Sequence, residues 1–130
     1  MSIEIGLKGR SETVVTEQNT ANAIGSGLVP VFATPYMVAL MENASANSLL
    51  PYLTENEGTV GTRLNVAHSS ATPIGMKVWA ESTVTAVEGK KICFEIVAYD
   101  EAGEIGRGTH ERFIITPERF LAKTQAKLNP

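Results

Sequence analysis

The feature that most restricts how this chain can fold is one helical stretch, apolar on nearly every face, followed by four strand-like runs. Thr34-Pro35 is a helix-start signal, since Thr can cap free backbone N–H groups and Pro tolerates the first helical turn. Met37, Val38, Leu40, Met41, Ala44 and Leu49 then recur at helical spacing, with small Ala39 and Ala46 on the other faces. Such a helix is expected to be buried, and Pro51 with the polar stretch Thr54 to Gly58 ends it.

What surrounds the helix reads as β-structure. Ser11 to Gln18 holds the β-branched run Thr13-Val14-Val15-Thr16, a first strand, and Asn19 to Pro30 is small-residue loop or frayed helical turn that suits a lid. Thr59 to Ser69 alternates, with Val60, Thr62, Leu64, Val66 and His68 on one face and Gly61, Arg63, Asn65, Ala67 and Ser69 on the other. Gly75 to Val87 and Lys90 to Tyr99 are joined by Glu88-Gly89, a hairpin link. Glu104 to Thr116 makes a last strand with Ile105, Thr109, Phe113 and Ile115 alternating, and Pro117 opens a short amphipathic helix. The order predicts an α+β domain over residues 1–130, an antiparallel sheet curled round one central helix. Its long free edge would be hidden by a second copy, so a homodimer is expected.

Composition narrows the function classes. A net charge of −3 with scattered basic residues argues against nucleic acid as a partner. The single cysteine, Cys93, permits neither an intrachain disulfide nor a thiolate metal cluster. Met1 to Arg10 lacks the apolar stretch of a signal peptide and no segment has the length of a membrane span, so a cytoplasmic location is expected. Phosphate-cradling loops and paired metal-ligand histidines are absent, and no cofactor is expected.

Three residues stand out as candidates for chemistry. Glu42 shares a helix stripe with Val38, Ser45 and Leu49, where a buried carboxylate needs a job or a partner, Arg63 or Arg112 being available. His68 ends the apolar face of its strand just before Ser69-Ser70; it is either a hydrogen-bonded edge histidine or an acid–base group half in a cleft. Thr34 is a helix N-cap, and its hydroxyl also lies where a helix N-terminus favours negative charge. Thr34 and Glu42 are two turns apart, about 12 Å of rise, so joint action requires a substrate or a second subunit between them.

The run from Val31 through Phe32-Ala33-Thr34-Pro35-Tyr36-Met37-Val38-Ala39-Leu40-Met41 to Glu42, then Gly58-Thr59-Val60-Gly61-Thr62, Val66-Ala67-His68, Glu104-Ile105-Gly106 and Gly108-Thr109-His110-Glu111-Arg112, resembles the fluoroacetyl-CoA thioesterase family of hot-dog proteins. The resemblance spans Val31 to Lys123. It implies an acyl-CoA thioesterase with Thr34, Glu42 and His68 catalytic, Gly61 and Arg112 contacting substrate, and the site at a dimer interface near the central helix. His110 and Glu111 are given no role. The family's fluoroacetyl-specific members gate their pocket with aromatic residues upstream of the threonine, whereas Asn19 to Val31 here holds none. A wider or differently gated pocket for another short or medium acyl chain is expected. Two other readings fit the same fold: a non-catalytic acyl-CoA-binding module with a structural Glu42, and an enoyl-CoA hydratase or dehydratase, whose Asp and His loop motif is not seen.

Overall fold

The computed structural model describes residues 2–130. Strands β1 (Lys8–Val14), β2 (Gly58–His68), β3 (Lys77–Glu88), β4 (Lys91–Asp100) and β5 (Gly103–Ile115) form one antiparallel sheet in the order β1-β3-β4-β5-β2. Helices are α1 (Ala21–Ile24), α2 (Thr34–Leu49) and α3 (Pro117–Gln125). The meander β3-β4-β5 is the centre of the sheet, and the two strands that precede it in sequence add to its opposite edges.

Helix α2 lies across the concave face. Met37, Leu40, Met41, Ala44 and Leu49 meet Val78, Ala80, Val84, Ile92, Phe94, Ile96 and Ala98 in a single apolar core. Truncating one of the Leu, Ile or Met side chains here to Ala would cost about 2–5 kcal/mol. Burial is confined to that one side of the helix: Thr34, Pro35, Tyr36, Ala39, Asn43 and Asn47 are exposed. The expected all-round burial is therefore not met within one chain, because a single curled sheet covers only one face of a cylinder. Close approach of helix and sheet is set by missing side chains. A Cβ on Gly106 of β5 would come within 2.7 Å of Met37 Sδ, and one on Gly9 of β1 would run into the carbonyl of Ala44.

Three expectations are corrected. The first strand starts earlier and stops earlier than Ser11 to Gln18, since Thr16 turns out of the sheet to cap a short 3₁₀ turn at Glu17–Asn19. In β2 a bulge between Gly61 and Arg63 resets the alternation. Gly61 thereby joins Leu64, Val66 and His68 on the helix side, and Thr62 and Arg63 are exposed. In β5 the residues that face α2 are Gly106, Gly108, His110, Arg112 and Ile114, while Thr109 and Phe113 point outwards. Of the apolar alternation expected there, Ile105 is buried, next to a second bulge opposite Ala98 and Tyr99.

Candidate active site

Helix α2 carries two of the candidate residues, and each meets a different end of β2. At the start of the helix Ala33, not Thr34, occupies the cap position, and its side chain makes no capping bond. Thr34 is the first helical residue and its hydroxyl is free for another partner. It finds one in His68 at the end of β2, with Thr34 Oγ1 2.7 Å from His68 Nδ1. In the tautomer that carries its proton on Nε2, the threonine hydroxyl donates to the ring. His68 Nε2 is buried and has no hydrogen-bond partner among the described residues. Burial holds the imidazole below the ordinary histidine value, with the nearby Ser70 backbone opposing it in part, so the ring is neutral at pH 7.

Thr34 and His68 line a cleft of about 290 Å³ with Phe32, Ser69 and Ser70, roofed on one side by Ala21, Ser26 and Val31. The roof is the segment read as a lid. It contains the short helix α1 and the apolar side chains of Ile24, Leu28 and Val29, with Leu28 95% exposed.

Two turns along α2, Glu42 faces the bulged half of β2. Its carboxylate Oε2 would lie 2.5 Å from a Cβ placed on Gly61, so only glycine leaves it that position. The side chain is 37% exposed, less buried than the sequence suggested, and its ion-pair partner is Arg112 at 3.5 Å. Arg112 is 7% exposed. Its Nε donates to Thr59 Oγ1 at 3.0 Å, its Nη2 to the Thr59 carbonyl at 3.1 Å, and its Nη1 to His110 Nε2 at 3.2 Å. Arg63, the other cation considered for Glu42, is exposed on the opposite face because of the bulge.

The structure thus brings Thr34 to His68, and Glu42 to Gly61 and Arg112, but it does not bring the two pairs together within one chain. Gly61 and His68 are seven residues apart on β2, roughly 23 Å of strand. Both pairs lie on the same side of the sheet. His110 was passed over in the sequence. The pattern Gly106-x-Gly108-x-His110-x-Arg112 places two polar groups on one strand face behind two glycines, a signal that this face meets something closely. Among the described residues no three His, Cys, Asp or Glu side chains converge as a metal site would need.

Comparison with known proteins identifies the family. Residues 15–118 match the family model described as fluoroacetyl-CoA-specific thioesterase. A fluoroacetyl-CoA thioesterase from Streptantibioticus cattleyicolor is 44% identical over 97 residues, 75% of this chain and 70% of the relative. A solved structure of a fluoroacetyl-CoA thioesterase superposes with a TM-score of 0.93 at 35% identity, covering 98% of both chains. A thioesterase superfamily member from Thermus thermophilus gives 0.90 at 32% identity, covering 98% of this chain and 94% of that one. A hot-dog-like protein from Thermanaerovibrio acidaminovorans, 21% identical with a TM-score of 0.87, shares the fold over 96% of this chain and 93% of its own.

Proposed function

The chain belongs to the fluoroacetyl-CoA-specific thioesterase family and has its hot-dog fold, and on that premise we propose that it hydrolyses short or medium acyl-CoA thioesters to the free acid and CoA, at a site assembled between two copies. The observation that carries this reading is the pair of half-sites on one face of β2: an unpartnered His68 Nε2 beside Thr34 at one end, and the Glu42 carboxylate at the other.

Strand β2 is a free edge eleven residues long, with Arg63 its one charged residue. The other edge, β1, carries Lys8, Arg10 and Glu12, charges that discourage strand pairing. Antiparallel pairing of two β2 strands about a two-fold axis at Asn65 sets Leu64 of one copy opposite Val66 of the partner subunit and, with the bulge taking up the extra residue, Gly61 opposite His68 of the partner subunit. The bulge at Thr62 keeps those two residues on the same face. A homodimer of this kind completes a catalytic set from Glu42 of one protomer and Thr34 with His68 of the other, twice per dimer.

In such a site Glu42 attacks the thioester carbonyl carbon or takes the proton from an attacking water. The oxyanion gains hydrogen bonds from backbone N–H groups at the β2 bulge, where the ladder is interrupted beside the carboxylate. The helix start is a poorer donor: Pro35 has no N–H, and those of Tyr36 and Met37 both donate to the Ala33 carbonyl. The C–S bond then breaks and the CoA sulfur leaves as a thiolate, which takes up the proton released from water, relayed through His68 Nε2; where Glu42 was the nucleophile, that water cleaves the acyl–Glu42 anhydride to the free acid. Gly61 leaves room for the substrate next to the carboxylate, and Arg112 backs that carboxylate from the buried side. Water is the only co-reactant, so no cofactor is required. Leu28 and Val29, in place of aromatic gating residues, leave the cleft able to admit acyl chains larger than fluoroacetyl. The free thiol of Cys93 is in keeping with a reducing cytoplasm.

The test is thiol release from a panel of acyl-CoAs of increasing chain length. Free CoA appearing with the matching acid supports the reading. CoA binding without thiol release identifies a binding module, and a hydrated product with CoA still attached identifies a hydratase. Mixing Glu42→Gln and His68→Ala chains, each inactive alone, should restore about a quarter of wild-type turnover, since half of randomly paired dimers hold one intact site of two.

A further inference from the structure

His110 is buried in the middle of β5 at 1% exposure, with neither a cleft nor solvent to serve. Both ring nitrogens are spoken for. Nδ1 lies 2.8 Å from the carbonyl of Arg63, which can only accept, so Nδ1 carries the proton. Nε2 therefore has a free lone pair, and the group facing it, Arg112 Nη1 at 3.2 Å, can only donate. The tautomer follows from the chemistry of the two partners. From β4 the ring of Phe94 stacks on the imidazole at 5.8 Å and fixes its plane.

The consequence is felt at Arg112. Its Nε and Nη2 are tied to Thr59, which leaves Nη1 as the nitrogen that faces both His110 and Glu42. With one Nη1 hydrogen given to the imidazole, the other is aimed at the Glu42 carboxylate. The same ring holds the Arg63 carbonyl, one residue past the bulge that seats Gly61. We propose that His110 is a positioning residue for the hydrolysis inferred above: it fixes the guanidinium of Arg112 and the Gly61 bulge at once, and so sets where the Glu42 carboxylate sits. The inference rests on the thioesterase reading, in which Glu42 does the chemistry.

Three substitutions separate this role from ordinary core packing. His110→Gln can present an amide oxygen near the Nε2 position. His110→Asn can donate to the Arg63 carbonyl but cannot reach Arg112, and His110→Phe keeps only the ring. A carboxylate displaced by about 1 Å costs up to a hundredfold, so His110→Asn and His110→Phe should lose between about tenfold and a hundredfold in kcat with KM little changed. His110→Gln should recover most of that loss. Thermal unfolding of all three is measured alongside. Equal kcat for Gln and Asn variants, or losses that merely follow the melting temperatures, would overturn the proposal. The wild-type enzyme gives a reading that needs no variant: nitrogen NMR of labelled histidine should show His110 protonated on Nδ1 alone, and a proton on Nε2 at the pH of full activity would overturn it too. If the wild type releases no thiol, the thioesterase reading has failed, and the NMR result still reports on the His110 and Arg112 pairing.

Discussion

The two half-sites on β2 are built to opposite specifications. Behind Glu42 the polar groups are answered: Arg112 uses all three of its nitrogens, His110 both of its own, and Thr59 its hydroxyl and carbonyl, and the carboxylate meets this network through Oε2, 3.5 Å from Arg112. Around His68 the network is left open, with one threonine partner, an unmatched Nε2 and a cleft in front of it. A closed network holds a charge still, because moving any member breaks a buried hydrogen bond. An open one can exchange protons with whatever enters. The contrast assigns the static task to Glu42 and the proton traffic to His68.

Glu42→Gln tests that division most severely. It keeps the shape and removes the carboxylate, and turnover should fall by roughly 10³–10⁴ with the fold intact by circular dichroism. Retention of more than a tenth of wild-type activity would remove Glu42 from the reaction. At the open end the threonine can be graded: Thr34→Ser keeps the hydroxyl and should stay within about tenfold of wild type, while Thr34→Ala should lose on the order of a hundredfold. Equal loss in both would mean that the methyl group, not the bond to His68, matters. Gly61→Ala probes the closed end. The new Cβ meets the flexible tip of Glu42 and also crowds the buried His110 Cε1 at 3.1 Å and Arg112 Nη1 at 3.2 Å, so the melting temperature should fall by several degrees with the fold retained. The carboxylate must nevertheless shift, and kcat should drop by about tenfold or more.

The smallest effect is on pH. Burial lowers His68, and burial also lowers His110, with the neighbouring Arg112 charge adding to it and the Arg63 carbonyl, Glu42 and Glu111 opposing it. Both rings therefore take up protons less readily folded than unfolded. Stability is full above the ordinary histidine value of 6.5 and declines as pH falls below it through the folded values. The acid limb of kcat/KM should lie below pH 6.5 for the same reason, and a limb above it would contradict a neutral His68.

Much of this was legible in the residues. The helix, the hairpin at Gly89, the sheet-and-helix class and the isolation of Glu42 from Thr34 all follow from periodicity and rise. What escaped was phase. Alternation in β2 is broken by one extra residue at Thr62, and counting by twos then puts Gly61 on the wrong side. In β5 the inner face is glycine and paired charge because α2 presses on it, so the outward Thr109 and Phe113 look like the apolar side of an ordinary strand. Thr34 reads as a cap, and only the position of Ala33 one residue earlier frees its hydroxyl. His110 gave no more than the strand face it shares with Gly106, Gly108 and Arg112, because its meaning lies in contacts with Arg63 and Arg112 across two strands.

The strand order also has a history in time. The β3-β4-β5 meander closes through two short turns, whereas β2 must find β5 by matching Gly58 to Ile115, across the whole of the intervening hairpins. Loop closure over such a span is entropically costly, so the meander is the early structure and β2 docks late. Every candidate catalytic contact except the Glu42–Arg112 pair and those within β5 depends on that later docking. Partly folded chains would then have a hydrophobic meander and no catalytic competence, and activity during refolding should rise only with the slowest phase.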